Sequence, residues 1–162
     1  MSLVRWKRSL VFALLTSGAL ATASAFAQPQ PGERIEELIA KVRSEPNAGA
    51  RMEYAAQLGE YIAAQRNGIE LVDDKVIGDI ASLLSHSDDW VRFYAAASLG
   101  FFGPRARSVV PALERALEQA KQTSLGAGQS AVFAGISSEE AICAALTKID
   151  LARVPADCRR YR

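Results

Sequence analysis

The sequence predicts an all-α fold, an α-solenoid of about three helix pairs, and three observations support this prediction. A motif recurs after 41 residues, apolar residues within each copy follow the spacing of a helix, and no segment of useful length alternates with period two. One pair of short helices cannot bury its own apolar stripe, so such repeats become stable only when neighbouring pairs stack. We therefore expect six helices in three pairs.

The repeat is clearest between residues 47–59 and residues 88–100, which align without a gap. The alignment pairs Asn47 with Asp88, Ala50 with Val91, Arg51 with Arg92, Leu58 with Leu99 and Gly59 with Gly100. In the preceding segments, Ile35, Ile39 and Val42 match Val76, Ile80 and Leu83. A third and weaker copy is offset by 47 residues, so that residues 144–146 match residues 97–99.

The first 27 residues have the three parts of a secretory signal peptide. Residues 1–8 are basic, residues 10–15 are apolar, and the small-residue site at 25–27 suits cleavage before Gln28. The apolar run is shorter than the roughly 20 residues that a membrane-spanning helix needs. We expect cleavage near Ala27/Gln28 and a periplasmic or secreted protein, with an uncleaved membrane anchor as the alternative.

The charge balance argues against a nucleic-acid partner. The signal segment holds three of the 19 Lys and Arg and none of the 18 Asp and Glu, which leaves residues 28–162 with a net charge of −2. Nucleic-acid binding depends on basic side chains that neutralise phosphates, and this balance gives no reason to expect it. Residues 28–162 contain no second apolar segment of membrane-spanning length, so we expect a mature protein that is not embedded in a membrane.

The elements follow in order from the repeat. After a linker at 28–32, the first copy predicts helices at 33–44 and 48–65. In the second copy, the first helix carries Val76, Ile80, Leu83 and Leu84. Its second helix carries Val91, Ala95, Leu99 and Phe102. Asp88 is suited to cap this second helix, and Pro104 prevents its continuation.

The third copy predicts helices at 106–121 and 138–150, the latter opened by the capping-box spacing of Ser137 and Glu140. Between them, residues 122–136 form a long insertion that contains three glycines and several apolar residues. Loops of this length are often functional. The repeat domain then covers residues 33–150, and residues 151–162 form a basic C-terminal tail.

The segment Asp88-x-x-Val91-Arg92-x-x-Ala95-Ala96-x-x-Leu99-Gly100-x-x-Gly103 resembles a HEAT repeat of the short bacterial type, which also occurs in bilin lyases. The resemblance is strong over 74–119, moderate over 33–65 and weak over 136–150. It implies that Asp88, Arg92 and the aligned Arg51 are structural residues that tie adjacent turns together, and it implies no catalytic residue. The third copy has Gly135 and Glu139 in place of the Asp and Arg, so we expect the stack to end there.

Two cysteines, Cys143 and Cys158, lie in the part predicted to be exported. In an oxidising compartment such a pair is expected to form a disulfide, with two free buried thiols as the alternative. A metal site is not expected, because His86 is the only histidine and lies far from both cysteines in sequence. The sequence also contains no motif for metal binding, phosphate binding or nucleophilic catalysis, so we expect neither a cofactor nor an enzyme.

One helix carries a second apolar stripe, formed by Trp90, Phe93, Ala97 and Phe101, at positions that are commonly polar in the HEAT pattern. Together with Tyr94, its aromatic residues are candidates for binding a protein partner, because aromatic side chains anchor interfaces. The alternative is that residues 122–136 or neighbouring helices cover the stripe. The expected function is an exported interaction module or scaffold. The alternatives are a lyase-like or chromophore- or ligand-handling subunit and a structural subunit of an envelope assembly.

Overall fold

The structure, a computed structural model, describes residues 30–65, 68–126 and 137–161, and these residues form six α-helices and no strand. The predicted all-α class is therefore confirmed. The helices are α1 (Pro31–Ser44), α2 (Ala48–Ala64), α3 (Asp74–Ser82), α4 (Asp89–Phe101), α5 (Val110–Gly126) and α6 (Ser138–Ile149). The predicted signal peptide and residues 127–136 of the insertion lie outside the described residues.

The helices pack in consecutive pairs, α1 with α2, α3 with α4 and α5 with α6. Helix α4 also packs between α2 and α6, while α3 contacts both α1 and α5, so the even-numbered and odd-numbered helices form two layers. The apolar positions matched by the repeat lie in the core between these layers: Ile35, Ile39, Val42, Val76, Ile80 and Leu83 are all buried. Helical spacing in the sequence thus corresponds to the inward side of each helix.

Side chains cap the N-termini of four helices, and for α3 Asp73 accepts a hydrogen bond from the backbone N–H of Lys75 at 3.0 Å. Asn47 accepts a hydrogen bond from the backbone N–H of Ala50 at 3.0 Å, and the aligned Asp88 accepts from Trp90 at 3.0 Å. Ser137 accepts from the N–H of Glu140 at 3.3 Å. These contacts satisfy N–H groups that have no partner inside the helix.

Three helix boundaries differ by more than one residue from the prediction, and one of them is the start of α5, at Val110 instead of residue 106, because residues 103–109 form a 3₁₀ turn. Helix α1 begins at Pro31, inside the segment predicted as a linker, because proline is well suited to the first turn, where its missing N–H costs no hydrogen bond. Helix α5 continues to Gly126 instead of ending near residue 121. The first residues of the predicted insertion are therefore helical.

Equivalent glycines allow close packing between successive even-numbered helices. A Cβ atom at Gly59 would lie 3.4 Å from Cδ1 of Tyr94, and a Cβ atom at Gly100 would lie 3.4 Å from Cα of Ala145. The two glycines are aligned in the repeat, so the same position sets the approach of α2 to α4 and of α4 to α6. Gly103 then adopts a positive φ of 53° just after α4, a conformation that glycine accepts at little cost.

The C-terminal tail packs against the helices. It forms short 3₁₀ turns at Leu151–Arg153 and Ala156–Tyr161. Cys158 is 1% exposed and lies at disulfide distance from Cys143 of α6, with a Cα–Cα separation of 5.1 Å. Among residues 30–65, 68–126 and 137–161, no helix combines the length and apolar character needed to cross a membrane.

Candidate interaction surface

A polar network joins the first two helix pairs at the start of α2. Arg51 donates from Nη1 to the backbone carbonyl of Glu45 at 2.9 Å, and its Nη2 lies 3.1 Å from Oδ2 of Asp88. Both side chains are largely buried, with 17% and 14% of their surface exposed. Asp88 therefore caps α4 and at the same time pairs with an arginine of the preceding repeat.

Arg92 repeats the backbone contacts of Arg51 in the second turn. It donates from Nη1 to the carbonyls of His86 at 2.7 Å and Ser87 at 3.0 Å, which lie six and five residues before it, as Glu45 and Pro46 do before Arg51. Its Nη2 lies 2.6 Å from Oδ1 of Asp89. Arg92 is only 2% exposed, so its charge is compensated inside the fold.

The third copy completes this network with different residues. The hydroxyl of Ser138 in α6 donates to Oδ1 of Asp89, the same oxygen that Arg92 contacts. Glu139, which stands at the position of the repeat arginine, is 7% exposed. A serine–aspartate hydrogen bond therefore links α4 to α6, where an arginine–aspartate pair links α2 to α4.

His86 lies in the turn between the two helices of the second pair. Its Nδ1 accepts a hydrogen bond from the backbone N–H of Asp88 at 3.0 Å, which requires that nitrogen to be unprotonated. Burial and the guanidinium groups of Arg51 and Arg92 lower the pKa of His86, against an opposing effect of the Asp88 carboxylate. The hydrogen bond and the lowered pKa therefore both favour the neutral imidazole of His86 in this turn.

We expect His86 to make the stability of the protein fall under mildly acidic conditions. A histidine whose pKa is lower in the folded state stabilises the fold fully above its unfolded value of about 6.5, and this contribution is lost as pH falls toward the folded pKa. Urea midpoints at pH 7.5 and 5.5 should therefore decrease more for the wild type than for His86→Asn, whose Oδ1 can accept the same bond at both pH values. Equal decreases would contradict the assignment, because no other histidine is present.

Three aromatic rings contact one another at the N-terminal half of α4. The Trp90 ring stacks on Tyr94 with centroids 6.2 Å apart and meets the edge of Phe93 at 6.0 Å. Phe93 and Tyr94 are themselves edge to face at 5.0 Å. Such offset and edge-to-face arrangements are the favourable ones for aromatic pairs. We call Trp90, Phe93, Tyr94 and Phe101 the aromatic surface.

The four residues of the aromatic surface have different surroundings. Phe93 and Tyr94 are half-buried and pack against the core cluster, and Tyr94 also faces Gly59 of α2. Trp90 is half-buried and leans on these two rings, while Phe101 is 39% exposed. Phe101 is therefore the most exposed member of the aromatic surface, while Trp90, Phe93 and Tyr94 form a half-buried cluster of rings.

A basic residue of α6 extends the surface. The ammonium group of Lys148 lies 5.4 Å from the ring centroid of Phe101, within the range of a cation–π contact. Lys148 aligns with Phe101 at the offset of 47 residues, so both occupy the same helical position in successive pairs. The position of Lys148 beside Phe101 could therefore have been predicted from this alignment.

The predicted cover of the aromatic surface, residues 122–136, falls mostly outside the described residues, as do its apolar residues Val132, Phe133 and Ile136. Within the described part of the chain, no group of three or more His, Cys, Asp or Glu side chains could hold a metal ion. Sequence reasoning also missed a groove between α3 and α5, whose signal was the set of small residues facing each other on the two helices.

No protein-family model matches the chain, and no curated protein or solved structure shows significant similarity to it.

Proposed function

We propose that the chain is an exported protein–protein interaction module, in which three helix pairs stack as a short HEAT-like α-solenoid and the aromatic surface binds a partner protein. One observation carries the proposal: Phe101 is 39% exposed on the central helix of the even-numbered layer, and the half-buried Trp90 of the same helix is ordered by its contacts with Phe93 and Tyr94. Rings that are already ordered lose little conformational entropy on binding. Tryptophan is also the residue type most enriched among interface hot spots.

The solenoid part of the proposal is supported by contacts that recur from pair to pair. Arg51 and Arg92 bind the carbonyls five and six residues before them, and Gly59 and Gly100 each face the next even-numbered helix. A chain that repeats both its internal contacts and its packing contacts is built by stacking. Export is supported by the signal-like N-terminus and by the cysteine pair at disulfide distance, which suits an oxidising compartment.

The binding proposal is tested with Trp90→Ala and Phe101→Ala in the exported form, residues 28–162. The wild-type protein is used as bait in an extract of the exported compartment, and the captured partner is then purified and its Kd measured. Loss of a hot-spot side chain costs about 2 kcal/mol or more, so each variant should bind at least about 30-fold more weakly. Far-UV circular dichroism should show unchanged helicity, because neither residue belongs to the buried core.

Leu71→Ala is the matched control. Leu71 is 78% exposed and lies in the connection between α2 and α3, so its removal trims exposed apolar surface outside α4 and α6. It should leave the Kd unchanged within about twofold. If Trp90→Ala instead unfolds the protein, the ring is part of the core. If both variants bind normally with intact helicity, the partner uses another surface.

A further inference from the structure

A groove lies between α3 and α5, in the odd-numbered layer and therefore apart from the aromatic surface. Its volume is about 360 Å³, near the lower end of the range for small-ligand sites. Small residues line both walls, with Gly78 and Ala81 on α3 and Ala112 and Ala116 on α5. The buried side chain of Leu84 contributes to its lining.

The course of the chain explains why the groove is open. Helix α3 packs against α1 and against the 3₁₀ turn Gly103–Val109, and it touches α5 only sparsely. The turn joins α4 to α5 over seven residues, and the small side chains on the facing walls cannot fill the gap between the helices. A Cβ atom at Gly78 would meet nothing within 4 Å, so the space beside α3 is open.

The lining of the groove carries one formal charge, the guanidinium group of Arg115. Its acidic neighbours on α5 are engaged elsewhere, because Glu114 lies 3.5 Å from Arg153 and Glu118 lies 2.8 Å from Lys121. Arg115 itself is exposed and has no ion pair with any residue that the structure describes. The groove thus combines an apolar trough with one guanidinium group at its rim that forms no ion pair with a described residue, although Glu114 and Glu118 lie beside it on α5.

Two of the three hydroxyl groups that line the trough are engaged within the chain. Ser82 donates to the backbone carbonyl of Asp79 at 2.7 Å, and Ser85 donates to the carbonyl of Ser82 at 2.9 Å. Both serines therefore satisfy their own donors within α3 and the turn that follows it. The third hydroxyl of the lining belongs to Ser108, at the wall opposite α3.

We propose that this groove binds a short apolar peptide segment of a partner protein that carries one carboxylate, with the aliphatic side chains in the trough and the carboxylate paired with Arg115. The volume suits the side chains of a few residues. Charge complementarity selects an acidic segment, because the lining contains no acidic side chain. The module would then have a second binding surface, independent of the aromatic one.

The test uses NMR titration of the exported form with a blocked tetrapeptide of sequence LALE and with its LALQ counterpart. LALE should shift the amide resonances of Gly78, Ala112 and Ala116, with a Kd in the millimolar range. LALQ should bind about two- to fivefold more weakly, the effect of one exposed ion pair. Arg115→Gln should remove that difference between the peptides, whereas Arg107→Gln, which changes an exposed arginine outside the groove, should preserve it.

A second pair of variants tests the trough itself. Gly78→Trp fills open space and should abolish the peptide-induced shifts, whereas Ala40→Trp, at an exposed position on α1, should leave them intact. Octanoate serves as a probe for a free carboxylate with an aliphatic tail. Equal binding of the two peptides, shifts that persist in Gly78→Trp, or tighter binding of octanoate than of LALE would each overturn the assignment to an acidic peptide.

Discussion

Replacing Arg92 by alanine is expected to lower the free energy of unfolding by about 3–4 kcal/mol. Arg92 is 2% exposed and donates to two backbone carbonyls and to the Asp89 carboxylate. Alanine would leave the carbonyls of His86 and Ser87 without this donor and would remove the buried aliphatic stem. Urea unfolding followed by circular dichroism measures the loss.

Arg51→Ala is the natural comparison, because Arg51 makes the same backbone contacts one repeat earlier. Its side chain is 17% exposed, and one of the carbonyls that it holds belongs to the exposed residue Pro46. Water can solvate the freed carbonyl of Pro46, but the Asp88 carboxylate, 14% exposed, also loses its ion pair, so we expect a cost of about 2 kcal/mol, below that of Arg92→Ala. If the two variants lose equal stability, burial is not what makes Arg92 important. Arg92→Lys should also be costly, since one ammonium group cannot reproduce the planar fork.

The repeat alignment was informative wherever structure depends on local spacing. It predicted the helix pairs, and it matched Asn47 with Asp88, both of which cap a helix in the structure. It also matched Arg51 with Arg92, whose backbone contacts are the same. These features follow from the order of residues along one turn, so a single sequence contains the information for them.

Features that depend on the distance between helices could not be predicted from the repeat alignment. The sequence grouped Trp90, Phe93, Tyr94 and Phe101 by helical spacing, yet only the packing between helices determines that Phe101 is exposed while the other three rings are half-buried. The groove between α3 and α5 likewise depends on how far the 3₁₀ turn after α4 displaces α5. Such separations result from the whole core and are not encoded at any single position.

Opening the link between Cys143 and Cys158 is expected to lower the free energy of unfolding by about 3 kcal/mol, the chain-entropy value for a loop of this length. The sulfur atoms lie at disulfide distance, and both cysteines are 1% exposed. The double variant Cys143→Ala/Cys158→Ala should show this loss, and reduction of the wild type should show a similar one. The native protein should contain no free thiol at residues 143 and 158.

Asp157→Asn tests how much an ion pair of the tail contributes to stability while the covalent link stays unchanged. Asp157 lies 2.7 Å from the ammonium group of Lys121, and its side chain is 62% exposed, so removing this charge should cost less than about 1 kcal/mol. A titration of two thiols in the native protein would refute the bridge. Equal stability of the wild type and the double alanine variant would show that packing of Val154 and Tyr161 against the core holds the tail without the disulfide.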